Sequence, residues 1–304
     1  MAKFQINILG CGSATPTPLH NPSAQVIDFR DNLMMVDCGE GAQHMFRKMG
    51  LRFSRLNHIF ISHLHGDHFF GLPGLLSTLG LHERTGSLTI HMPAAGLQQM
   101  KNFTDFFIRE SPFEIVYEPL EGKGGTILET PALTVDAFPL YHRVPCYGFL
   151  FREKQKPRHL RGDMIKFYRI PVSKLQAIKE GADFITDEGR VIPNAALTTD
   201  ADPTVSYAYC SDTMYDPRVA EAVRGVDTIY HEATYLSDLA AQARERGHST
   251  AADAARVARE AAARQLIIGH YSKRYTDLQP LVDEAAAIFP NVTPANEGLK
   301  IDLL

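Results

Sequence analysis

The chain has few cysteines, no long apolar run and no strong excess of charge. Cys11, Cys38, Cys146 and Cys210 are far apart, and none forms a CxxC pair. The four therefore read as reduced thiols in a cytosolic protein, and as small buried hydrophobes. No stretch reaches the roughly 18 apolar residues of a membrane span. The opening MAKFQINILG has no basic segment followed by an apolar one, so no export signal is expected and the cytoplasm is the expected location. A formal net charge of −4 excludes a wholly basic nucleic-acid-coating protein. No fixed-period repeat and no low-complexity linker divides the chain. Its 304 residues, 44% of them hydrophobic, are enough for one large core.

Short apolar, β-branched or aromatic runs predict strands at 4–9, 24–29, 33–37, 58–62, 88–92, 114–120, 133–140 and 147–151. A second set follows at 206–212, 227–232, 265–270 and 299–304. Helical spacing of Ala42, Met45, Phe46 and Met49 predicts a helix over 39–49, and good helix formers predict another over 251–264. Thr250 and Asp253 have the spacing of a capping box at its start. A third helix is expected over 280–289. Residues 152–169 carry seven Lys or Arg against two acids and lack periodicity, so they are read as the start of a surface arm running to about residue 195.

The chemistry concentrates in the thirteen histidines. His63, His65, Asp67 and His68 lie within six residues directly after an apolar run, with Gly66 giving the backbone room to turn. Four such groups packed together need a metal or another partner. A loop can aim them at two adjacent points. Imidazole with some carboxylate suits zinc best, and manganese and iron are also compatible. His142, His231, Asp212 and His270 end other apolar runs, where ligands gather in layered sheet proteins. Together these supply enough ligands for two metals, with Asp212 the natural bridging carboxylate. Two metals about 3.5–4 Å apart activate water near neutral pH and offset charge that builds at a phosphoryl or carbonyl group. Asp67 is placed to orient or deprotonate that water, and His248, in Gly247-His248-Ser249-Thr250, is a candidate proton donor. His20, His44, His58, His82, His91 and His159 have no such company and read as surface or core residues. From the residues alone the substrate stays open between an RNA and a small ester. A non-catalytic RNA-binding protein with a structural metal is a third reading.

The segment HLHGDH resembles the signature of the metallo-β-lactamase superfamily, which implies an α/β chain folded as a four-layer αββα sandwich. More of the chain resembles the ribonuclease Z family. The likeness runs through LGCGSATPTPLHNPSA, VDCGEGAQHMFRKMG, SHLHGDHFFGLPGLL, YHRVPCYGF, YCSDT, HEATY with GHSTAADAA, and IIGHYSKRY. It implies that His63, His65 and His142 hold one zinc, that Asp67, His68 and His270 hold another, and that Asp212 bridges them. Asp67 would accept the proton, His248 would assist at the scissile phosphate, and His231 would support the site without touching metal. The implied activity is zinc-dependent removal of the 3′ trailer from precursor tRNA after the discriminator nucleotide. A homodimer is implied too, in which the arm of one subunit serves the other's site. One departure stands out: residues 169–185, RIPVSKLQAIKEGADFI, keep Ile-Pro but lack the Gly-Pro found in the arm of many bacterial members.

Overall fold

The computed structural model describes residues 3–82, 84–108 and 111–303. Two seven-stranded sheets organise the chain. The first runs in the order Lys300–Asp302, Phe4–Gly10, Ala24–Phe29, Asn32–Cys38, Leu56–Phe60, Leu88–Pro93, Ile115–Leu120. Pairing is antiparallel up to the strand Asn32–Cys38 and parallel beyond it. The second runs Val292–Pro294, Gln265–Gly269, Thr228–Glu232, Ser206–Cys210, Cys146–Glu153, Leu133–Leu140, Gly125–Glu129, with its first three pairings parallel.

Each sheet is sandwiched, which is why many strands are buried on both faces rather than alternating. The strand Ala24–Phe29 is buried at every residue. Its polar residue Gln25 accepts a hydrogen bond from the Tyr207 hydroxyl of the second sheet. Phe60 of the first sheet meets the rings of Phe149 and Phe151 from the second, with centroids 5.4 and 5.6 Å away. On the outer side of the first sheet, the helices Ala42–Lys48 and Leu72–Leu81 bury Phe46, Leu75, Leu76 and Leu79 against Val26, Met35 and Ile59. The helices Ala251–Glu260 and Gln279–Ala286 cover the second. This is the expected four-layer order of helix, sheet, sheet, helix. Among the described residues no helix is long and apolar enough to cross a membrane.

The capping box at Thr250 is present: its side chain accepts from Asp253 N while the Asp253 carboxylate accepts from Thr250 N. The helix stops at Glu260, four residues before the sequence expectation, because Ala262 adopts a left-handed φ of 55°. Several strands also end early. The expected strand 206–212 stops at Cys210 and 265–270 stops at Gly269, so Asp212 and His270 lie just past their strands. Sequence reading missed the helix Leu97–Phe107 and the strand Gly125–Glu129. Glycine is required at Gly10, where a Cβ would sit 1.8 Å from the Pro22 carbonyl oxygen, so the loop of residues 11–22 can lie against the first strand.

A second compact unit comprises residues 130–134 and 152–204. Its own small core joins Ile170, Ile178, Ile192 and Leu197, and it carries two two-stranded pairs, His159–Leu160 with Thr198–Thr199 and Phe184–Ile185 with Val191–Ile192. It is therefore a folded insertion rather than a structureless loop, and it extends beyond residue 195. Part of its positive charge is matched internally, by Lys156–Glu153 at 3.0 Å and Arg158–Asp200 at 2.9 Å.

Candidate metal centre and its cleft

The strand Leu56–Phe60 points its C-terminal end at the site. His63 and His65 follow in extended chain, and Asp67 and His68 sit in the single helical turn Gly66–Phe69. A loop is expected over this segment, and its second half is helical instead. The turn is what rotates Asp67 and His68 away from the direction of His63 and His65.

Two groups of ligand atoms result. In one, His63 Nε2 lies 3.0 Å from His65 Nδ1, which lies 3.2 Å from His142 Nε2. In the other, His68 Nε2 lies 3.2 Å from His270 Nε2, and these nitrogens are 3.6 and 3.5 Å from Asp67 Oδ2. Asp212 stands between the groups. Its Oδ2 is 3.5 Å from His63 Nε2 and 3.8 Å from His142 Nε2, while its Oδ1 is 3.3 Å from His68 Nε2 and 3.1 Å from His270 Nε2. All seven expected ligands therefore converge, and the carboxylate expected to bridge has one oxygen toward each group.

Outer partners decide which imidazole nitrogen faces inward. His68 Nδ1 donates to Asp37 Oδ2 at 2.7 Å, and His142 Nδ1 donates to the Gly247 carbonyl at 2.7 Å. His63 Nδ1 donates to Ser62 Oγ at 3.0 Å, which in turn donates to Asp37 Oδ2 at 2.9 Å. His270 Nδ1 donates to Thr234 Oγ1 at 2.8 Å, and that hydroxyl donates to Glu232 Oε2 at 2.6 Å. The lone pairs on the four inner nitrogens are left pointing into one space. Asp212 Oδ1 has no hydrogen bond of good geometry despite complete burial. Lone pairs facing one another around an unsatisfied buried carboxylate oxygen fit a cation at their centre. Two backbone outliers sit here as well: Asp37 and His270 have φ of 54° and 60°. Such conformations persist where surroundings over-determine them, commonly at functional sites.

The electrostatics agree. Burial would raise the Asp212 carboxyl, but His270, His68 and His63 hold it well below the usual carboxylate range. Asp67 is likewise held low against burial by His68 and His270, and its Oδ2 accepts the Ala14 N–H at 2.6 Å. His63 is pushed down by burial and by its histidine neighbours. His248 Nδ1 lies 2.9 Å from Glu232 Oε1. Burial alone would lower this imidazole, but Glu232 and then Asp212 raise it to about 9. A cation therefore stands at the edge of the cleft, its ring 5.1 Å from that of His142 and 5.4 Å from that of His270.

The cleft has a volume of about 540 Å³, and Asp67, His248 and the basic side chains Arg143, Arg246, Lys273 and Arg274 line it. Among the described residues His231 belongs to none of the ligand groups. It lies inside its strand, fully buried, with Nδ1 2.7 Å from the Glu232 carbonyl oxygen. Cys146 is buried 3.6 Å from His63, and burial and the nearby carboxylates push its thiol up, so it stays protonated. Sequence reasoning gave no role to Asp37, Thr234 or Glu232. A faint signal existed, since Asp37 and Glu232, like Asp212, are acids at the ends of apolar runs.

Known proteins resemble this chain along its whole length. It is 50% identical to a ribonuclease Z of Bacteroides fragilis (strain YCH46) over 304 residues, covering 100% of both chains. It is also 50% identical to a ribonuclease Z of Parabacteroides distasonis, again covering 100% of both. Among solved structures, the short form of human tRNase Z superposes with a TM-score of 0.72 at 24% identity, covering 99% of each chain. The metallo-beta-lactamase fold protein YhfI from Bacillus subtilis does so with a TM-score of 0.69 at 18% identity, also covering 99% of each. A family model described as anti-Pycsar protein Apyc1 matches residues 4–103, about a third of the chain.

Proposed function

The chain belongs to the ribonuclease Z family, and from that premise we propose that it removes the 3′ trailer from precursor tRNA by one endonucleolytic cut after the discriminator nucleotide. The tRNA keeps a 3′-hydroxyl and the trailer a 5′-phosphate. The observation that carries this reading is the shared carboxylate of Asp212 between two groups of imidazole donors, beside a histidine cation. That arrangement suits in-line hydrolysis of a phosphodiester.

We assign His63, His65 and His142 to one zinc ion, Asp67, His68 and His270 to a second, and Asp212 to both. Bound there, the two ions supply Lewis-acid charge for the scissile phosphate and an acidified water. The protein's own groups do the rest. Asp67, pinned by the Ala14 N–H, orients the attacking water and takes its proton. The water oxygen bonds to phosphorus, the bond from phosphorus to O3′ breaks, and His248 gives its proton to O3′. Glu232 keeps His248 charged for that step. Arg143, Arg246, Lys273 and Arg274 hold neighbouring phosphates without reading sequence.

The unit of residues 152–204 is assigned as an arm that grips the tRNA body through its Lys and Arg residues. We further assign a cytoplasmic homodimer in which each arm serves the partner's cleft. A labelled precursor tRNA, with and without chelator and with the cut mapped to the nucleotide, tests the activity. Loss of trailer cleavage on chelation is expected. A metal-loaded protein that left the precursor intact while hydrolysing a small ester would overturn the reading.

A further inference from the structure

A second donor cluster lies outside the cleft. The loop after the first strand carries Cys11 and His20, and the segment before the last strand carries Glu297. Cys11 Sγ is 3.4 Å from His20 Nδ1 and 3.7 Å from Glu297 Oε1, and His20 Nδ1 is 3.0 Å from Glu297 Oε2. A tetrahedral zinc ion with bonds of about 2.0–2.3 Å sets donors about 3.3–3.6 Å apart. Two of these separations run to different oxygens of the one carboxylate; with one donor atom taken from each residue, the three lie within 4.8 Å of one another, close enough to converge on such an ion. We propose that Cys11, His20 and Glu297 form a further cation site, sharing no residue with the ligands of the cleft, and that it takes zinc through one sulfur, one nitrogen and one oxygen.

Three features support the assignment. Thiolate, imidazole and carboxylate together select zinc over calcium or magnesium, which prefer oxygen alone. A thiolate and a carboxylate around a divalent ion also give a neutral cluster, which suits a place where Cys11 is fully buried. Finally, His20 lines a cavity of about 390 Å³, so one of the three donors is reached from outside. Without the ion, Cys11 Sγ is 3.4 Å from the Ala295 carbonyl oxygen, to which it donates as a thiol. Zinc binding replaces that proton and releases it to solvent. The site would tie residues 11–20 to the C-terminal segment. Ala14, whose N–H holds Asp67, lies in the tied loop.

Cobalt(II) substitution tests this in the full-length chain. None of the proposed cleft ligands is sulfur, so a near-ultraviolet thiolate-to-cobalt absorption that depends on Cys11 reports the new site whatever the cleft holds and whatever the substrate is. Chelator-stripped protein titrated with cobalt(II) should develop that absorption, and added zinc should abolish it. Cys11→Ser should remove the absorption and one equivalent of bound metal while leaving the cleft's metal. His20→Gln, which keeps every thiol, should weaken binding at least about tenfold. Absence of the absorption in the wild-type chain would overturn the proposal. So would its persistence in Cys11→Ser, since the sulfur would then be another cysteine, such as Cys146 beside His63.

Discussion

Replacing Glu232 by glutamine should move the alkaline limit of the reaction while every proposed ligand stays in the chain. Glu232 is fully buried, and its Oε1 accepts from Thr213 N at 2.8 Å and from His248 Nδ1 at 2.9 Å. Raising His248 from about 6.5 to about 9 corresponds to about 3 kcal/mol in favour of the imidazolium. Glu232 is the leading cause of the rise, and losing one close opposite charge lowers a pKa by about 1–2 units. If His248 fell to about 7.5, its charged fraction at pH 8 would drop about four-fold. The assay is kcat/KM for precursor tRNA cleavage from pH 6 to 10 with the metal-loaded protein. The wild type should lose activity as pH rises through the His248 pKa, held above the ordinary imidazole value by Glu232, because the acid form of His248 is consumed there. Glu232→Gln should show the same limb displaced to lower pH. The carboxamide also leaves one of the buried donors on Glu232 unmatched, so a stability loss of about 1–3 kcal/mol should accompany it. The sign of linkage agrees: a pKa raised on folding stabilises fully below about 6.5 and ceases to do so as pH rises through about 9. An alkaline limb that stays in place in Glu232→Gln would refute the role assigned to this pair.

Asp67→Ala should lower kcat for precursor cleavage by about 10²–10⁴ in single-turnover assays, and equal rates in mutant and wild type would remove Asp67 from the chemistry. Asp37→Asn, which loses the charge behind His68, should weaken metal binding about 10–100-fold by chelator competition. Deleting residues 155–190 should abolish cleavage of precursor tRNA and spare hydrolysis of a small phosphodiester, while loss of both would assign the segment a role in the cleft itself. Gly10→Ala should cost about 2–4 kcal/mol in denaturant unfolding, because its Cβ would meet the Pro22 carbonyl oxygen, a backbone atom with no flexible end to swing aside.

Local sequence alone determined a good deal. The sheet strands are short β-branched runs, and the helix after Thr250 announces itself by its capping box. The segment His63–His68 draws its ligands from six consecutive residues, so their nearness follows from covalent connection. Distant ligands were legible for a related reason: sheets place strand ends side by side, so acids and histidines ending apolar runs meet. Tertiary structure decided the rest. That His231 stays out while His270 enters depends on where two neighbouring parallel strands stop and on the left-handed turn at His270. Asp37 holds His68, and Glu232 charges His248, across 31 and 16 residues of sequence; no periodicity encodes such pairs. The meeting of Cys11 with Glu297 across 286 residues is the extreme case. That meeting follows from the first and last strands pairing in one sheet, which brings the loop after one beside the segment before the other.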